Sequence, residues 1–145
     1  MRNPARIAGL LTLGYGAAIV VKPKLMARPC ELTDSNGAVP AQTATMIRAL
    51  GLRDAISGAS LIAAPTGKAL LVAGVLRSAS DVGDGLLLSR TLPTPKAKKK
   101  AFVVATGWGA LCAGAVALTN ASAARSRRRL GSAAALKRRA RRRRR

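Results

Sequence analysis

The chain contains no histidine, and its 145 residues include only one Trp, one Tyr and one Phe. Without histidine the usual proton shuttle near neutral pH is absent. Ser57, Ser60 and Ser80 have no His or plausible Lys base nearby in sequence, so nucleophilic catalysis has no support. Three aromatic residues are too few to anchor a large water-soluble core. Cysteine is equally sparse: Cys30 and Cys112 are too few and too distant in sequence to form a framework. Cys112 lies in an apolar run and reads as a small buried hydrophobe. Acidic residues number five against 26 basic ones, for a formal charge of +21.

What is present is alanine, leucine, glycine and valine, which dominate residues 5 to 124. The mean hydropathy is +0.16 even with the arginine-rich end included. A bundle built on Ala and Gly suits lipid, where small residues let helix backbones approach closely. A charge this large suits nucleic acid or an anionic membrane face, and the long apolar stretches favour the membrane. The length allows one domain and leaves no room for a catalytic module beside a bundle.

Four apolar runs follow one another. The first, residues 5 to 21, is at the short limit of about 17 residues for a span. Arg2 and Arg6 give it the basic flank of a signal or signal anchor. Lys22-Pro23-Lys24-Leu-Met-Ala-Arg28-Pro29 offers no small-residue cleavage site, which predicts an uncleaved first helix. Prolines 23, 29 and 40 and the Asp34-Ser-Asn-Gly37 stretch predict a loop over 22–43. A second helix is expected over 43–64, stopped by Pro65-Thr66-Gly67, and a third over 68–92, the two forming a tight antiparallel hairpin. Pro93-Thr-Pro95 and the Lys96, Lys98, Lys99 and Lys100 cluster predict a basic loop before an uncharged fourth run, 101–124. The expected fold class is all-α: a four-helix transmembrane bundle, multi-pass in the cell membrane, with a disordered basic C-terminal tail over 125–145.

Orientation is contested. The tail holds twelve basic residues and favours cytoplasmic termini, whereas the lysine loop argues for the opposite side. A three-span or half-inserted variant would relieve the conflict.

Six charges fall inside the middle helices: Arg48, Arg53 and Asp54 in the second, Arg77, Asp81 and Asp84 in the third. At 100° per residue Arg77, Asp81 and Asp84 occupy one stripe about 60° wide, and Arg77 with Asp81 forms an i, i+4 pair. Gly51, Asp54, Ala55 and Gly58 share a small-residue face able to meet another helix, with Gly51 and Gly58 as packing positions. A lone charge at mid-bilayer costs about 2.5–3.5 kcal/mol, so three positive and three negative groups are expected to pair into a neutral cluster between the hairpin arms. That cluster either fixes helix register in a structural or accessory protein, or lines a binding or transport site for a polar or anionic ligand.

Asp81-Val-Gly-Asp84-Gly85 resembles the opening of the CDP-alcohol phosphotransferase motif, whose aspartates hold divalent metals. Leu88-Ser89 stands where that motif continues with Ala-Arg, and no Asp or Glu follows Asp84. Two carboxylates from one helix do not enclose a two-metal site, so neither a metal, a cofactor nor an enzymatic activity is expected. Arg48-Ala-Leu-Gly51-Leu-Arg53-Asp54-Ala-Ile-Ser-Gly58, the Asp84-Gly85 helix and Gly107-Trp-Gly109 resemble the DUF4267 family of small bacterial membrane proteins. The resemblance covers roughly residues 5 to 120. It implies a four-helix unit with Gly51, Arg53, Asp54, Gly58 and Asp84 as signature positions and no assigned activity. The arginine tail departs from that pattern.

The tail carries Arg127, Arg128, Arg129, Lys137, Arg138 and Arg139 as candidate contacts to anionic lipid headgroups, each contributing about 1 kcal/mol. No aromatic residue interrupts the arginines, so sequence-specific nucleic-acid binding is not expected. Membrane lipids are the expected partners, with homo- and hetero-oligomers both left open.

Overall fold

A computed structural model describes the backbone of residues 3–143 and the side chains of residues 3–132. The described residues are all-α, in five helices: α1 (Pro4–Val21), the single turn α2 (Lys24–Ala27), α3 (Ala41–Ala63), α4 (Lys68–Thr91) and α5 (Pro95–Arg143). Four are long. By length and composition α1 and the Pro95–Ser132 part of α5 are apolar enough to cross a membrane; α3 and α4, which carry the internal charges, are not.

Local chemistry accounts for the boundaries. Asn3 caps α1, its Oδ1 accepting from the amides of Ala5 (3.1 Å) and Arg6 (3.4 Å), and Pro4 stands at the first helical position, where no amide hydrogen is needed. Pro95 likewise opens α5, and Pro40 stands at the N-cap just before α3. Between α3 and α4 the chain turns through Gly67 at φ 107°, a conformation that side chains resist. At one end of the bundle, Asn120 closes this turn by accepting from the Gly67 amide (2.7 Å) and donating to its carbonyl (3.2 Å). At the same end the Ala5 amide donates to Thr119 Oγ1 at 3.2 Å. At the opposite end Thr94 Oγ1 donates to Glu31 Oε2 at 2.8 Å.

The helices pack as two tight pairs, α1 with α3 and α4 with α5, joined mainly through α1 and α5. The α1–α3 seam is backbone against backbone. A Cβ on Gly58 would lie 2.5 Å from the Leu13 amide nitrogen, and one on Gly16 would lie 2.6 Å from the Gly51 carbonyl oxygen. Gly9 and Gly16 on α1 thus interlock with Gly58 and Gly51 on α3, each pair spaced seven residues, two turns, along one stripe. On the other pair Gly74 admits Val116, and Ser78 Oγ donates to the Gly109 carbonyl at 2.9 Å.

Four expectations are corrected here. The arms α3 and α4 touch little and are no tight hairpin, because α3 spends its small-residue face on α1. The lysine cluster is not a loop but the first turns of α5, which Pro95 starts. The tail expected to be disordered continues α5 through Arg143. Beyond Ala124 the chain has no proline, and its Ala, Arg, Lys and Leu are strong helix formers. Basic residues near a helix C-terminus also face the negative end of its dipole. Finally, the 22–43 loop contains α2, whose Ala27 is wholly buried with Ile19 and Ile47.

Candidate functional site

Two arginines and three aspartates join α3 to α4. On α3, Arg53 and Asp54 are neighbours in sequence; on α4, Arg77, Asp81 and Asp84 share the stripe that faces inward. Arg53 grips Asp84 with both terminal nitrogens, Nη1 to Oδ1 at 2.8 Å and Nη2 to Oδ2. Its Nη2 also donates to Asp54 Oδ1 at 3.0 Å. Arg77 grips Asp81 with Nε, 2.9 Å from Oδ2, and with Nη2 on Oδ1. Arg77 Nη1 then crosses to α3, donating to Asp54 Oδ1 at 2.6 Å and to Ser57 Oγ at 3.1 Å. Asp54 Oδ1 is therefore the hinge of the network, held by one guanidinium from each helix.

The network is buried. Arg77 and Asp81 are each 3 % exposed and Asp54 8 %, while Arg53 and Asp84 lie nearer the edge. Among the described residues no fully enclosed side-chain nitrogen or oxygen lacks a hydrogen-bond partner. Such satisfaction is what a buried ionic cluster requires, since desolvation otherwise exceeds the Coulombic gain. Fork-to-carboxylate geometry explains why both basic members are arginine: a lysine would offer a point charge in place of two parallel donors.

Arg48 is not part of it. Its Nε donates to the Val20 carbonyl at 3.3 Å on the α1 side, and the side chain is exposed. Five residues separate Arg48 from Arg53, about 140° around the helix, so both cannot face α4. The six-membered neutral cluster expected from composition is thus five-membered, with two guanidinium groups against three carboxylates and a formal charge of −1.

A cavity of about 390 Å³ lies against the network, between the four long helices and beneath the α2 segment. Asp54, Arg77, Asp81 and Asp84 form its polar wall. Leu11, Leu50, Leu88, Val104 and Trp108 supply apolar surface. Leu11 and Tyr15 on α1 and Lys100 and Val104 on α5 are lining residues that are also exposed, so the mouth opens between α1 and α5. Trp108 Nε1 donates to Thr12 Oγ1 at 3.1 Å, tying these two helices together below the mouth. Cys30 lines the loop end, where burial pushes its thiol up and Lys100 pulls it partly back. Cys112 is buried in the apolar core, away from Cys30, and both thiols are free.

Among the described residues, no three or more His, Cys, Asp or Glu side chains are grouped to hold a metal ion. Asp81 and Asp84 each engage one arginine with both carboxylate oxygens. In the tail Arg127, Arg128 and Arg129 are exposed on the extension of α5, while the side chains of Lys137, Arg138 and Arg139 lie outside the described residues. Sequence reasoning did not single out Gly9, Gly16, Thr12, Tyr15 or Leu11. The seven-residue glycine spacing of the first helix, repeated at Gly51 and Gly58, was the available signal for the seam. No family model, curated protein or solved structure matches the chain.

Proposed function

We propose that the chain is an integral membrane protein with α1, α3, α4 and α5 as spans, in which the Arg/Asp network clasps two helix pairs as a structural or accessory unit. One observation carries this reading: the polarity of the bundle is inverted. Leu10 and Leu52 are 58 % exposed, Leu76 64 % and Val104 62 %, on all four long helices, while Arg77 and Asp81 are buried. Soluble monomers rarely expose contiguous apolar patches beyond a few hundred Å², whereas lipid is the solvent for such a surface. A polar network between spans satisfies itself internally, which is how charged residues persist at membrane depth.

The even number of spans puts both termini on one side, and the basic residues from Arg125 onward favour the cytoplasm for that side. Exposed Arg127, Arg128 and Arg129 then meet anionic headgroups. Membership of the DUF4267 family is proposed on Gly51, Arg53, Asp54, Gly58 and Asp84, of which two form the α1–α3 seam and three the network. Carboxylates paired to arginines give the phosphotransferase alternative no support, and the cavity favours ligand binding as the second reading.

Two measurements test the topology. Alkaline carbonate should leave the protein in the membrane pellet. In a background with Cys30 and Cys112 replaced by alanine, single cysteines at Ser35 and Lys99 should label from one side, and those at Lys68 and Ser132 from the other. Labelling of positions 68 and 132 from opposite sides would refute four spans.

A further inference from the structure

We propose that the cavity is a binding site for a singly charged organic cation with an apolar body, entering sideways between α1 and α5; the sideways entry rests on the membrane reading above. Three observations converge on this ligand chemistry. The network that forms the polar wall carries one more carboxylate than guanidinium, and Arg48, which would have balanced it, points to the Val20 carbonyl instead. Asp54 gives both of its arginine contacts to Oδ1; its Oδ2 accepts from nothing among the described residues, although the residue is only 8 % exposed and lines the cavity. Since no enclosed side-chain oxygen among the described residues lacks a partner, Oδ2 keeps an accessible surface, and a half-used carboxylate on a cavity-lining residue can take a donor or a positive charge.

The walls decide what kind of cation. A bare metal ion needs several converging ligands, and among the described residues no three His, Cys, Asp or Glu side chains are grouped to hold one. Leu11, Leu50, Leu88 and Val104 instead offer apolar contact, and Tyr15 and Trp108 offer aromatic faces that attract an ammonium group. About 390 Å³ is within the ordinary range for a small-molecule site. Lys100, the remaining charged lining residue, is exposed in the basic first turns of α5 and pairs with no carboxylate among the described residues; its long stem lets the ammonium group reach the polar headgroup level and leave the interior.

Trp108 is the only tryptophan of the chain and lines the cavity, so its emission reports occupancy. Full-length protein in neutral detergent micelles is titrated with benzyltrimethylammonium, with neopentylbenzene (the same shape without charge) and with benzenesulfonate. The cation should produce a saturable change, the neutral analogue should bind about ten-fold more weakly or less, and the anion should not bind. Asp54→Asn should weaken the cation about ten-fold and leave neopentylbenzene unchanged, because the network becomes neutral while its shape is kept. Val104→Phe, at the exposed mouth, should weaken both probes alike. Equal binding of cation and neutral analogue, or an unchanged ratio in Asp54→Asn, overturns the proposal. These titrations need no bilayer. A chain that carbonate extracts but that still prefers the cation loses the spans and the sideways entry, and keeps the site.

Discussion

Arg77→Gln is the substitution that most directly tests the network. Arg77 is 3 % exposed and makes two bonds to Asp81, one to Asp54 Oδ1 at 2.6 Å and one to Ser57 at 3.1 Å. Glutamine retains at most two donors and no charge. Asp81 would lose its only basic partner among the described residues, and the five-residue network would go from −1 to −2. Charge-assisted hydrogen bonds are each associated with about 1.5–3 kcal/mol, but desolvation of the arginine is recovered on its removal. Breaking a buried pair from one side costs about 3–5 kcal/mol, and that is the expected destabilisation. Adding Asp81→Asn removes the orphaned carboxylate and restores −1, so the double variant should regain about half or more of the loss. Reversible unfolding in mixed micelles, followed by far-ultraviolet circular dichroism and by Trp108 emission, measures all three proteins. A single-variant cost below about 1 kcal/mol, the range of exposed pairs, would refute a buried, load-sharing network. So would a double variant no more stable than the single.

Three further outcomes follow from the packing. Gly58→Leu should separate α1 from α3 and cost more than about 3 kcal/mol in the same unfolding measurement, since even a Cβ would meet the Leu13 amide at 2.5 Å. Gly14→Leu, where a Cβ meets nothing within 4 Å, is the control and should be near neutral. Arg48→Ala should change stability by no more than about 0.5 kcal/mol, because it gives up one exposed bond to a backbone carbonyl; a cost like that of Arg77 would return Arg48 to the network. Thr12→Val should remove the acceptor for Trp108 Nε1, at about 1 kcal/mol, and shift the tryptophan emission; unchanged emission would argue against that contact.

Individual residues show where sequence reasoning reaches and where it stops. Helical periodicity was enough to set Arg77, Asp81 and Asp84 on one stripe, because those angles depend only on the local backbone. The same arithmetic, applied to Arg48 and Arg53, separates them by about 140°, yet counting charges alone put both in one cluster. Prolines 40 and 65 delimit helices at or near the expected boundaries. Pro95, however, opens a helix where it was read as part of a loop, since a proline at a helix start and one after a helix end look alike in sequence.

The sequence by itself determined the all-α architecture and the approximate place of the four long helices, and it named the five residues that pair together with one, Arg48, that does not, because period, proline position and the cost of a lone buried charge are local or additive properties. Only the tertiary structure decided which helices are neighbours. Adjacency in the chain suggested α3 on α4, but the matched glycines of α1 and α3 allow a closer approach than any helix pair bridged by arginine. That choice leaves α3 and α4 with few contacts of their own, and the cavity lies beside Asp54. It also turns Arg48 away and leaves the network one positive charge short.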